Sequence, residues 1–291
     1  MFCALRDVMV FHAGYETLAE GMAECGVDTV ELRYTKERKV VGPDTPKADG
    51  ECVSAANPDE WQAVAESFAA AGLKVGGLLL ATNFNADDRG DHIQWTVQAV
   101  RFAEVLGAGA VRIDSAMTGQ GELPWAERVR LYADAVLEIL DATSDSSVTL
   151  GIENHGLQGN DPAWMGAVVA RVNSPRLGLT LDTGNFYWAG HPVERVYQIV
   201  ETFAPHVVHT HCKNISYPGY LRNQQRPLGY EYGKYVCAIP DGDVDHGRLV
   251  QILAAAGYEG GLYIEDEGLG KAEDRKAQLK RDCEYLRDLT G

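Results

Sequence analysis

VTLGIEN, residues 148 to 154, is an apolar run rich in β-branched side chains that stops abruptly on a carboxylate, Glu153. A Ser/Asp cluster at 144–147 precedes it and Gly156 follows. It therefore reads as a strand covered on both faces, the pattern of a parallel sheet. The same grammar recurs three times: LGLTLD (177–182) ends on Asp182, VVHTHCKN (207–214) carries His211, and GGLYIED (260–266) carries Glu265. Each run delivers one oxygen or nitrogen donor at its carboxyl end.

Outward from these four runs the chain alternates strand-like and helix-like segments. Leu5–His12 and Val27–Arg33 read as the first two strands, with a helix over Tyr15–Cys25 closed by Gly26 between them. An irregular stretch over 34–57 ends at Asn57-Pro58, a helix cap with proline in the first turn, ahead of a helix over Trp61–Ala71. Strands over 73–82 and 110–114 follow, with a helix over 91–106 between them, and a long helix over 125–141 leads back to VTLGIEN. Helices over 162–172, 193–203, 245–256 and 272–289 complete the pattern. Eight such units predict an α/β protein, a single (β/α)8 TIM barrel over residues 1–291, with an open doubly wound sheet as the rival.

The charge balance is 42 acidic against 26 basic residues, a formal net charge of −16, which argues against nucleic acid and anionic membrane surfaces as partners. No apolar run approaches the roughly 20 residues of a membrane helix. The first residues, with Arg6 and Asp7 inside their apolar stretch, lack a signal-peptide layout. Six scattered cysteines without a CxxC pair read as reduced thiols, so the expected location is cytoplasmic.

In such a barrel the site lies where the carboxyl ends of the strands converge. Glu153, Asp182 and His211 are each one βα unit apart, and the longer step to Glu265 puts the excess in a loop at 215–244. Three carboxylates and one imidazole, without thiolate, suit one divalent ion such as Mn²⁺, Mg²⁺, Co²⁺ or Zn²⁺. Buried together without a cation, the acids would be very unfavourable at neutral pH. His209 shares the inward face with His211 and is expected one layer deeper as a hydrogen-bonded residue.

ENHG (153–156), LDTGN (181–185), HTHCKN (209–214) and the run at 242–266 resemble the sugar phosphate isomerase/epimerase superfamily of xylose isomerase-like barrels. That group includes ketose 3-epimerases, hydroxypyruvate isomerase, inosose-handling enzymes and, more distantly, endonuclease IV. The resemblance implies a metal held by Glu153, Asp182, His211 and Glu265, with Glu153 and Glu265 also the acid/base pair. Ketose 3-epimerases usually carry a histidine three residues after the aspartate, where this chain has Asn185.

The expected chemistry is isomerisation or epimerisation of a small sugar or polyol. A metal chelating a carbonyl and the neighbouring hydroxyl acidifies the C–H between them, and one carboxylate takes the proton through an enediolate. His155, Asn185, Lys213, His209, Arg222 and Arg112 are candidate substrate contacts. For Lys213 a pair with Glu265 or Asp266 is the simpler role, and for Arg112, Asn83 and Arg33 a solvated rim position is. The loop, with five tyrosines, Arg222, Arg226 and Lys234, suits a lid or a homo-oligomer contact. A lyase, dehydratase or C-glycoside-cleaving subunit would use the same proton abstraction on a keto-sugar and release a leaving group. A barrel that binds sugar without turnover is the reading from another class, and a nuclease the last. No Gly-rich phosphate cradle is visible, so an unphosphorylated substrate is expected.

Overall fold

The computed structural model describes residues 1–291. Its centre is a closed barrel of eight parallel strands: β1 (Phe2–Arg6), β2 (Thr29–Arg33), β3 (Lys74–Leu80), β4 (Ala110–Ile113), β5 (Thr149–Glu153), β6 (Leu177–Asp182), β7 (Val207–Cys212) and β8 (Gly261–Ile264). Each strand pairs with its neighbours in chain order and β8 closes onto β1. This is a (β/α)8 TIM barrel, not an open sheet. The inner and outer faces are both covered, and Leu150, Ile152, Leu179, Leu181 and Ile264 are fully buried.

The main helices are α1 (Asp7–Ala13), α2 (Leu18–Cys25), α3 (Pro58–Ala70), α4 (Arg89–Leu106), α5 (Trp125–Ala142), α6 (Pro162–Val172), α7 (Val193–Phe203), α8 (His246–Ala255) and α9 (Arg275–Thr290). Several of their ends are where the sequence predicts them, among them α6, α7 and the C-terminus of α2. The Asn57 side chain accepts the amide of Glu60, Asp161 accepts that of Ala163, and Gly26 is left-handed at φ 63°.

The first unit differs from expectation. The strand is Phe2–Arg6, and Asp7 to Ala13, most of the stretch read as strand, is helix α1. Asp7, Met9, Val10 and Ala13 all face inward from that helix, which stops at left-handed Gly14. Strand pairing decides the matter: Phe2 to Leu5 lie in register with Gly261 to Ile264 of β8, a contact invisible to a local reading. The shift brings Arg6 to the barrel mouth, paired in register with Glu31 of β2.

Gly76 and Gly77 of β3 make room inside the barrel. A Cβ on Gly76 would lie 2.0 Å from the Tyr263 hydroxyl, and one on Gly77 would lie 2.8 Å from Cε1 of His209. Small residues there let the two rings pack at 4.1 Å, tilted by 37°, beneath the site.

The loop after β7 is folded. Asn214–Ile215 pairs antiparallel with Val236–Cys237. The Arg226 guanidinium lies 4.3 Å over the rings of both Tyr187 and Tyr217 and donates to the carbonyls of Leu221, Gln224, Tyr187 and His191. No helix is long and apolar enough to cross a membrane.

His246 opens α8, buried, with Nε2 3.0 Å from the Thr183 hydroxyl and its ring edge-on to Tyr285. Burial pushes its pKa down to about 4, against about 6.5 in an unfolded chain. The unfolded chain therefore takes up the proton first. Stability from this group is full above pH 6.5 and falls by about 3 kcal/mol as pH drops through 4. Replacing His246 with glutamine is expected to flatten the loss of Tm between pH 7 and 5, and an equally steep loss in the variant would contradict this.

Candidate metal centre

Glu153, Asp182, His211 and Glu265, from the ends of β5, β6, β7 and just past β8, each present one ligand atom, and these four atoms lie within 4.8 Å of one another. All four residues are buried. Register explains the convergence: Asp182 sits beside His211 across β6 and β7, and His211 beside Tyr263 across β7 and β8, two positions before Glu265 and on the same face.

Asp182 and Glu265 are each held on one side and bare of hydrogen bonds on the other, while Glu153 is held at both oxygens, Oε2 by Arg112 and Oε1 by Asn185. Asp182 Oδ1 accepts the amides of Gly184 and Asn185, both at 2.8 Å, while Oδ2 accepts no hydrogen bond and has only the ion pair with Lys213 Nζ at 3.2 Å. Glu265 Oε1 is taken by Arg6, leaving Oε2 without a hydrogen bond. His211 Nδ1 is likewise unpartnered, 3.1 Å from Glu265 Oε2 and 3.5 Å from Glu153 Oε1. Three buried acceptor atoms that make no hydrogen bond, with only Lys213 near one of them, fit a cation. The donor set, oxygens and one imidazole nitrogen, suits a hard to borderline divalent ion.

The surrounding charge is distributed unevenly. Burial alone would push the Glu153 carboxyl up, but Arg112 and then His211 override it and hold it well below the usual range. At Asp182 burial prevails over Lys213, and the carboxyl is raised. On the Asp182 side the one ammonium, Lys213, does not offset the cost of burial.

The other candidates fall into place around it. Arg112 is not a solvated rim residue: it is 6% exposed, forks onto Glu153, and donates to the Leu80 carbonyl at 2.8 Å, with Asp114 Oδ2 3.3 Å away. Lys213 pairs with Asp182 and Glu267, not with Glu265 or Asp266, because the chain beyond β8 turns Glu267 back toward β7. Tyr232 of the loop donates its hydroxyl to the same Glu267. Asn185 is buried and donates its side-chain amide to Glu153 at 3.3 Å. His155 is half-exposed, with Nδ1 2.9 Å from Asp114. The carboxylate of Asp114 raises its pKa, against the pull of burial. Arg222 is outside the cluster, pairing with Asp243 at 2.7 Å within the loop. Asn83 hydrogen bonds Thr118, and Arg33 is an exposed rim residue near Glu51.

His209 lies below His211, and both Nε2 atoms meet one carboxylate that sequence reasoning missed, Glu31 of β2. The signal was present in VDTVELR, where period two puts Glu31 on the inner face between Val30 and Leu32. Arg6 was missed with the displaced first strand.

Comparisons with known proteins agree with this architecture. A family model described as the xylose isomerase-like TIM barrel matches residues 20–289. An uncharacterised protein of Methanocaldococcus jannaschii is 24% identical over 203 residues, covering 66% of this chain and 64% of that protein, so the match spans a little under two thirds of the relative. Among solved structures, IolI with a bound zinc atom superposes with a TM-score of 0.71 at 18% identity, covering 100% of this chain and 96% of that one. An L-ribulose 3-epimerase gives 0.68 at 18% identity, with 98% and 93% covered. AsbF of Bacillus anthracis, a probable 3-DHS dehydratase involved in petrobactin synthesis, gives 0.67 at 15% identity, with 98% of each chain covered. At these identities the structural likeness speaks for the fold.

Proposed function

The chain belongs to the xylose isomerase-like TIM barrel family, and from that membership we propose a divalent-metal-dependent isomerase or epimerase of a small unphosphorylated sugar or polyol. The observation that carries the proposal is the convergence of four ligand atoms, three of them on side chains whose buried acceptors make no hydrogen bond. Glu153, Asp182, His211 through Nδ1, and Glu265 would hold the ion. When bound, it polarises a carbonyl and its neighbouring hydroxyl and makes the C–H between them more acidic.

The remaining work belongs to the chain. Glu153 and Glu265, on strands that bracket β6 and β7, are the proposed proton acceptor and donor at the carbon acid. Arg112 and Asn185 fix the first, and Arg6 fixes the second. Return of the proton to the opposite face of the same carbon epimerises it; return to the adjacent carbon exchanges aldose and ketose. His155, at the mouth, and Lys213, beside Asp182, are proposed to hold substrate oxygens. Arg112 and His209 serve the cluster from behind and are withdrawn from that role, as is Arg222, which pairs within the loop.

The likeness to a probable dehydratase favours one second reading, elimination from a keto-sugar after the same proton is removed. A panel of ketoses, aldoses and inososes incubated in D₂O and followed by NMR separates them. Deuterium entering one carbon with the sugar otherwise intact supports isomerisation or epimerisation, and release of water or an aglycone supports elimination. Glu153→Gln and Glu265→Gln are each expected to cut turnover by about 10²- to 10⁴-fold. Wild-type turnover in both variants would move the acid/base roles away from these glutamates, and no turnover of any sugar by the wild-type chain would leave a sugar-binding barrel as the better description.

A further inference from the structure

Glu31 is 1% exposed and all its partners are donors. Nε2 of His209 lies 2.7 Å from Oε1, Nε2 of His211 lies 3.0 Å from both oxygens, and Nε of Arg6 lies 3.2 Å from Oε2. A carboxylate can only accept, so His211 must carry its proton on Nε2 to face it. In the neutral ring, the form that binds a metal, Nδ1 is then the lone pair, and Nδ1 is the atom that meets Glu265 Oε2 at 3.1 Å with no hydrogen bond.

We propose that Glu31 is a positioning residue that fixes the tautomer and ring orientation of His211 so that Nδ1 is presented to the ion. The inference rests on the reading of His211 as a metal ligand. Imidazoles that bind metals commonly donate their other N–H to a carboxylate, and losing that partner weakens the metal by about 10- to 100-fold. Glu31, His209 and His211 also lie close enough together to hold an ion themselves. Two observations argue for hydrogen bonds there instead. Arg6 already occupies the remaining side of Glu31, and neither Glu31 nor His209 has an unpartnered buried atom, whereas those of His211 and Glu265 face the other way. His209 is the second prop: its ring, packed against Tyr263 in the space left by Gly77, fixes the other edge of the carboxylate.

The test uses full-length protein stripped of metal, Co²⁺ affinity by calorimetry, and ¹⁵N NMR of the histidine rings after loading with Zn²⁺. The expected result is Zn²⁺ on Nδ1 of His211 with the proton retained on Nε2, and a Co²⁺ affinity 10- to 100-fold weaker in Glu31→Gln, with an unchanged circular dichroism spectrum. Zn²⁺ on Nε2 with the proton on Nδ1 would overturn the inference, and that reading needs only the wild-type chain should Glu31→Gln fold poorly. Wild-type affinity in Glu31→Gln beside abolished binding in His211→Ala would overturn it alone. Undiminished binding in His211→Ala would remove the metal-centre reading and the inference with it.

Discussion

Replacing Asp182 with asparagine is expected to lower divalent-metal affinity and turnover by about 10³-fold each, since an ion in such a site contributes several kcal/mol to the barrier. The substitution is nearly isosteric. Oδ1 can still accept the amides of Gly184 and Asn185, so the turn after β6 survives. What changes is the other atom: Oδ2, which accepts no hydrogen bond, becomes an amide that donates, 3.2 Å from the Lys213 ammonium. Burial already disfavours the charged form of this carboxyl, so the metal-free variant should melt within a few degrees of wild type. Calorimetry with Mn²⁺ and the D₂O assay check the first part and a thermal melt the second. Full activity in the variant would mean that Asp182 serves the turn alone.

The second large effect concerns Arg112. Methionine at this position would fill similar volume but strip Glu153 of both guanidinium contacts and Asp114 of its 3.3 Å partner. Removing one member of a buried ion pair leaves an uncompensated charge and costs about 3–5 kcal/mol. For a chain of this size that is a fall in Tm of roughly 6–15 °C. Asp114 keeps His155 and the amide of Ala116, so the penalty falls mainly on Glu153. Divalent ions should recover more of the variant's Tm than they add to wild type, because the ion supplies the charge that Arg112 no longer does. A melt unchanged within about 2 °C would show that Arg112 carries no such burden.

Much of this was legible in the chain because each ligand closes its own strand. Glu153, Asp182, His211 and Glu265 sit at the ends of apolar runs, a local pattern that parallel pairing converts into proximity. The cations and the carboxylate around them were not legible in the same way. Arg6 depended on where β1 ends, which is set by pairing with β8, more than 250 positions away in sequence. Arg112 looked like a rim residue because an arginine at a strand end is usually solvated; only the neighbouring Glu153 and Asp114 make its burial favourable. Glu31 lay in plain view in VDTVELR, but its partners are on β7 and nothing local to β2 announces them. The partners of Lys213, Asp182 and Glu267, are not readable locally, since the turn that returns Glu267 has no distinctive sequence.

The position of the ion can be read from a crystal of the protein soaked in Co²⁺, with anomalous diffraction recorded at the cobalt edge. One strong peak per chain is expected, bounded by Glu153, Asp182, Nδ1 of His211 and Glu265. No peak at that point, or one held by Glu31 and His209 instead, would contradict that placement.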